Sequence, residues 1–379
     1  VNPFFTPFNL EEKYNTSENL GLSDISSACM PALSLTDLLE IYDPEKQEQF
    51  CFELLNKPLS YSSQYGSEEF RTKLASQLYP HLQAENFLLT SGASEAIYLV
   101  MKTMFQPGDS IIVQKPIYQS LYQIAFDAGV NIIDWDCDLK NYQWQISNLA
   151  KLIQDHPQAK ALVINNPNNP TGIGFSASEL KEISQILEDR LLISDEVFLY
   201  LSRSETCSAT QIHPRALAIS DLSKSFSMPG LRLGWIGVTD SMLEHLENFS
   251  GLKNYLSLRC PTLSELIGSW VIDRSKKIIK TNKTILSQNI DTFFSSQFYK
   301  ECFNTGFSSQ KIDGLNCFLE FREDLDLKKF MDICKQKKVF LAQGELFGDK
   351  YERYCRIGLG QLDTEKLKQL TKSLSAAHT

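Results

Sequence analysis

From residue 86 onward the apolar positions fall into short continuous runs separated by stretches of helical period. NFLLT is followed by SGASEAIYLVMKTMF, SIIVQ by IYQSLYQIAFDAG, and ALVIN by SASELKEISQILED; NIIDWD, LLISDE, ALAISDL and GWIGV are further runs. Short apolar runs alternating with amphipathic segments predict buried strands of a mostly parallel sheet with helices on both faces. The expected fold class is α/β, with one large unit over residues 46–265.

The pattern then changes. Residues 264–296 carry the period of one long helix, after which GLNCFLEFRE, VFLAQ and YCRIGL read as strands and LKKFMDICKQKK and TEKLKQLTKSL as helices. This predicts a smaller α+β unit over residues 266–379. Residues 1–45 hold no sustained period and are expected to wrap the body as part of that smaller unit. Helical spacing appears near Leu33 to Tyr42, and again after Gly66, where Ser67, Glu68 and Glu69 make an acidic first turn.

Composition adds limits rather than a fold. Hydrophobic residues at 42% and charged residues at 22% are globular values in a chain of 379 residues, enough for two domains. A net charge of -9 argues against a nucleic-acid partner or an anionic membrane surface, both of which favour a basic face. Nine cysteines with no CxxC pair do not read as a disulfide framework, so a cytoplasmic setting is expected. The N-terminal VNPFFTPFNLEEKYN lacks the basic start and apolar core of a signal peptide. No membrane segment and no metal are expected.

The candidate chemistry centres on ISDLSKSFSMPGLRLGW, residues 219–235. Lys224 follows an apolar strand, and Arg232 comes shortly after a Met-Pro-Gly turn. A cavity lysine forms a Schiff base with an aldehyde, and a guanidinium grips phosphate through its planar fork. Together they ask for a phosphorylated aldehyde, which pyridoxal 5'-phosphate (PLP) is. Three further places fit. The turn Ser91-Gly92-Ala93-Ser94-Glu95 between a strand and a helix offers backbone N–H groups to an anion. NNPNNPTG at residues 165–172 can aim an amide at a ring oxygen. Asp195, at the polar end of LLISDE, needs a cation or strong donors to stay charged, and a protonated pyridine nitrogen would serve. Taken singly, each has a plainer reading: an N-cap, a Pro-Asn turn and a capping carboxylate. Glu196 is read as structural.

In this order and at these spacings, the motifs resemble those of a fold-type I PLP-dependent enzyme of the class I and II aminotransferase group. The resemblance spans nearly the whole chain. It implies Lys224 as the cofactor-bearing lysine and general base, with Ala93, Ser94 and Arg232 around the phosphate and Ser223 as an added phosphate contact. It further implies Asp195 at the pyridine nitrogen, Asn169 at the ring O3', Tyr118 stacked on the ring, and Arg356 on the substrate α-carboxylate. Tyr61 would reach the phosphate of a neighbouring subunit, so a homodimer with shared sites is implied, acting on a small amino-acid substrate.

Three positions depart from the pattern. Phe198 replaces a tyrosine that hydrogen-bonds O3', Asp221 replaces a small hydroxyl residue and would repel phosphate unless turned away, and Gln343 replaces a proline. Phe198, together with TSGASEAIYLVM, KPIYQSL, GLSDISS and KNYLSLRCPTLSE, resembles capreomycidine synthase and related cyclases. That resemblance implies loss of water from a hydroxylated L-arginine and ring closure by its own guanidine. A γ-hydroxy substrate giving L-enduracididine is favoured over a β-hydroxy one giving capreomycidine, and the alternative is an aminotransferase using a 2-oxo acid. Glu11 and Ser23 are substrate-binding candidates, with Glu12 and Asp24 as further acids for a guanidinium.

Overall fold

The computed structural model describes residues 5–375; the outermost four residues at each end, within the expected wrapping segment and the smaller unit, lie outside the described residues. The strands in chain order are β1 (Ser23–Asp24), β2 (Phe87–Thr90), β3 (Ser110–Lys115), β4 (Asn131–Asp136), β5 (Ala159–Asn165), β6 (Leu191–Asp195), β7 (Ala216–Asp221), β8 (Gly234–Val238), β9 (Asn316–Glu320), β10 (Val339–Phe340), β11 (Ala342–Gln343) and β12 (Tyr354–Gly358). Seven of them form one sheet in the order β2-β8-β7-β6-β5-β3-β4. Only β8 runs antiparallel to its neighbours β2 and β7. The strands β3, β6, β7 and β8 are buried along their whole length. That is why they read as unbroken apolar runs. The fold is α/β, a mostly parallel sheet between helices.

A three-stranded antiparallel sheet, β11-β12-β9, stands apart, and β1 pairs in parallel with β10. Residues of both sheet units share one continuous apolar core, in which Ile219 and Ile236 belong with Cys317 and Ile357.

Two predicted elements divide. The long helix is broken at Arg274 into Thr262–Asp273 and Ser275–Ser295. The first piece is buried from Ser264 to Ile272, the second only along a stripe, so the halves pack against different surroundings. Arg274 turns its guanidinium over the Tyr42 ring, 4.3 Å from its centroid. VFLAQ divides at Leu341, because β10 pairs with β1 and β11 with β12. Several helices went unread, two of them near the N-terminus and others at Ile146–Asp155 and His245–Lys253. Asn9–Asn19 buries only Leu10 and Ser17, so it carries almost no apolar period. Pro44–Asn56 does announce itself, with Asp43 as N-cap and Pro44 opening the first turn. Among the described residues, no helix is long and apolar enough to cross a membrane.

Candidate active site

In an open α/β sheet the strand carboxyl ends leave a crevice where loops gather side chains. Here β5 ends at Asn165, β6 at Asp195 and β7 at Asp221, and all three line one cavity of about 760 Å³. Its walls are completed by Tyr118, Asn169, Lys224, Arg232 and Arg356, and by Glu11, Tyr14, Asp24 and Cys29 from the N-terminal segment.

Lys224 lies just beyond β7, and its Nζ donates to Cys29 Sγ at 3.0 Å. Burial disfavours its charge, yet Cys29 and Asp221 outweigh burial and the amine is raised above its ordinary range. Asp195 is 4% exposed. Its Oδ1 accepts the Val197 N–H at 3.2 Å, and it forms no salt bridge among the described residues. Burial first, with the charge of Asp221 adding to it, raises its carboxyl to about 7.

Arg356, in β12, is 2% exposed. Its guanidinium donates to Ser26 O at 2.9 Å, to Asn169 Oδ1 at 2.8 Å and to the Tyr14 hydroxyl. All three acceptors are neutral, so the buried guanidinium makes no salt bridge among the described residues, although the Asp24 carboxyl lies near enough to feel its charge. Asn169 is fixed from two sides, because its own N–H donates to Asn165 Oδ1 at 2.6 Å. Its side-chain amide nitrogen is left to donate into the cavity. The Tyr118 hydroxyl donates to Glu11 Oε1 at 2.8 Å, and burial followed by Glu11 pushes that phenol well up.

At the start of helix Ala93–Thr103 the backbone is drawn tight. Gly92 has φ +84°, and a Cβ there would lie 2.3 Å from Arg232 Nη2. A Cβ on Gly234 would meet Gly92 C at 2.7 Å and Ala93 N at 2.9 Å. Glycine is required at both, and the guanidinium sits directly over the turn. Arg232 itself donates to Ser91 O at 3.2 Å, and Ser94 faces the cavity. The departure at Asp221 proves not to be turned away. Its Oδ2 accepts the Ala93 N–H at 3.2 Å and the Ser223 hydroxyl at 2.8 Å, and its Oδ1 accepts the Ser223 N–H at 2.9 Å.

A family model, Aminotransferase class I and II, matches residues 44–374. The chain belongs to that family. Members of the aminotransferase class I and II family depend on PLP, act on small amino-acid substrates and are commonly dimeric. The chain is 25% identical over 330 residues to a probable aspartate aminotransferase of Methanocaldococcus jannaschii, covering 83% of this chain and 85% of the relative. Among solved structures, a PLP-dependent aminotransferase from Streptococcus suis aligns with TM-score 0.88 and 26% identity over 98% of this chain and 97% of that one. The PLP-dependent cyclase OrfR aligns with TM-score 0.83 over 98% of this chain and 96% of that one, at 22% identity, a likeness of fold.

The residues of this aminotransferase-family chain fit PLP on their own geometry. A buried carboxyl raised by desolvation and lacking a cation suits a pyridinium nitrogen, and two glycines hold Arg232 over a helix N-terminus suited to phosphate. Of the remaining sequence candidates, Glu11 lies in the cavity and Ser23 does not. Ser23 is exposed, and strand alternation in β1 sends Asp24 to the cavity instead. Tyr61 is also absent from the cavity, with 82% of its surface exposed. Phe198 lines the wall and is buried. Sequence reasoning missed Tyr14 and Cys29. Tyr14 lies one helical turn after Glu11 and becomes legible once that helix is known, whereas nothing in the sequence marks Cys29.

Proposed function

We propose that the chain is a PLP-dependent cyclodehydratase that converts a hydroxylated L-arginine into a cyclic guanidine, with γ-hydroxy-L-arginine and L-enduracididine as the favoured pair. The observation that carries this reading is the sharing of one cavity by Lys224, Arg356 and two acids of the N-terminal segment, Glu11 and Asp24. Such a cavity suits an amino acid whose far end is cationic. Phe198, which would leave the ring oxygen with Asn169 as donor, favours the same reading, and the fold shared with the cyclase OrfR is compatible with it.

Bound PLP supplies an electron sink for the negative charge that develops when Cα loses its proton. Lys224 would hold the cofactor aldehyde, and its amine would be the base placed to move the proton at Cα. Asp195 would face the pyridine nitrogen, Asn169 would donate to O3', and Tyr118 would lie against the ring. Ala93, Ser94, Ser223 and Arg232 would surround the phosphate. Arg356 orients the α-carboxylate, while Glu11 and Asp24 hold the guanidine beside the carbon that loses hydroxide, favouring it over water by position. The product is substrate minus one water, with every nitrogen kept.

Tyr61 belongs to the neighbouring subunit's site in this proposal. It is itself 82% exposed, and Leu55 and Leu59, close to it in sequence, are exposed apolar residues as well, at 84% and 80%, as residues meeting a second copy would be. The division into a wrapping segment (1–45), a cofactor-binding domain (46–265) and a small domain (266–379) is part of the same proposal.

The second reading is an aminotransferase, favoured by relatives such as the probable aspartate aminotransferase. Incubation with γ-hydroxy-L-arginine and no 2-oxo acid separates the two. The cyclase turns over continuously, loses one water and takes solvent deuterium into Cα and Cβ. Arrest after one turnover with pyridoxamine phosphate formed, relieved only by a 2-oxo acid, refutes cyclisation.

A further inference from the structure

We propose that Asp221 is a built-in competitor for the cofactor phosphate, filling the anion cradle with its own carboxylate until phosphate displaces it. The inference rests on the cradle assignment made above and not on cyclisation. Asp221 ends β7 at 4% exposure, and its two oxygens take three donors: the Ala93 N–H, the Ser223 N–H and the Ser223 hydroxyl. These are donors that a phosphate in the same turn would use. Arg232 is not consumed by Asp221, since it donates to Ser91 O and Pro229 O. The cradle therefore keeps its cation at the rim while its inner donors are satisfied by an internal anion.

Two anions cannot share those donors. An incoming phosphate either expels the carboxylate from the turn or binds beside a like charge, and both weaken binding relative to a hydroxyl side chain at this position. The occupied cradle also avoids leaving buried N–H groups unpaired in the cofactor-free chain. Cofactor occupancy then follows the supply of PLP more closely than in a chain whose cradle is empty.

The test uses cofactor-stripped protein prepared from the purified enzyme, with three probes: inorganic phosphate, PLP, and pyridoxal, which has the ring but no phosphate. Asp221→Ser and the near-isosteric Asp221→Asn are compared with wild type by calorimetry and by the absorbance of bound ring. Both variants are expected to bind phosphate and PLP about tenfold more tightly, at ~1.4 kcal/mol per decade, with pyridoxal affinity unchanged. The Asn variant guards against a folding defect in the Ser variant. Unchanged or weaker phosphate and PLP binding in a folded variant overturns the proposal, as does an equal gain for pyridoxal. Arg232→Ala separates the layers. Weakened phosphate binding there, with no gain at Asp221, sinks the competitor alone; no loss there sinks the cradle assignment and the competitor together.

Discussion

Replacing Asp195 with asparagine makes the cost of its buried charge measurable. The carboxyl is 4% exposed and accepts one backbone N–H, from Val197, which an asparagine oxygen can keep. Its pKa rises from 3.8 to about 7, chiefly by burial. A raised carboxyl stabilises the folded chain fully below the unfolded value and loses that contribution as pH rises through about 7. The displacement corresponds to roughly 4 kcal/mol at pH 8, and at ~2 cal/mol/K per residue this is a Tm difference of about 5 °C. Cofactor-stripped Asp195→Asn should therefore melt above wild type at pH 8, with the gap narrowing steadily toward pH 4. Glu196, raised to about 7 by its own burial, leaves the variant with some pH dependence. Thermal melts across pH 4 to 8 read this directly. PLP should then raise the wild-type Tm more than the variant's, because a pyridinium answers only the ionised acid. A gap that is absent, or constant across the range, refutes the claim that Asp195 carries an uncompensated charge awaiting a cation.

Borohydride reduction of the purified enzyme should attach the cofactor to the Lys224 peptide, and Lys224→Ala should retain PLP noncovalently with turnover below detection; label on another lysine contradicts the assignment. Arg356→Ala should raise KM for the amino acid by about a hundredfold, consistent with ~2–3 kcal/mol for a charge-assisted pair, and an unchanged KM would place the α-carboxylate elsewhere. Tyr61→Phe should weaken PLP retention, and heterodimers of Tyr61→Phe with Lys224→Ala chains should regain one intact site; verified heterodimers without activity count against a shared site.

The strands of the large sheet were legible because burial on both faces writes itself as continuous apolar sequence, and the motifs at their carboxyl ends came with them. Lys224, Asp195 and Asn169 stood out because each sits where a strand or turn forces a polar residue into an apolar setting, whereas Arg356 came only through the family resemblance; all four line the cavity. Ser23 failed for a local reason: a two-residue strand gives no alternation to read, so the choice between it and Asp24 needed the pairing with β10. The helix bearing Glu11 and Tyr14 was hidden because one face looks into a polar cavity and supplies no apolar stripe. Asp221 was visible as a departure, but whether its carboxylate faces the turn or leaves it depends on rotamer and neighbours, which sequence does not record.

In the proposed function, the wall facing the substrate's far end would come from helix Asn9–Asn19 and β1, outside the seven-stranded sheet that ends in Asp195 and leads to Lys224. On that reading, substrate preference and cofactor chemistry would be carried by different parts of the chain. Substitutions in the N-terminal segment can change which side chain is accepted while leaving the electron-handling machinery intact, and a lineage can acquire new substrates by editing some twenty residues at one end. Arg356 sets the boundary of that freedom. It holds Tyr14 and Ser26 from the segment and Asn169 from the cofactor loop with the same guanidinium, so the segment can vary in its acids but not in how it is tethered.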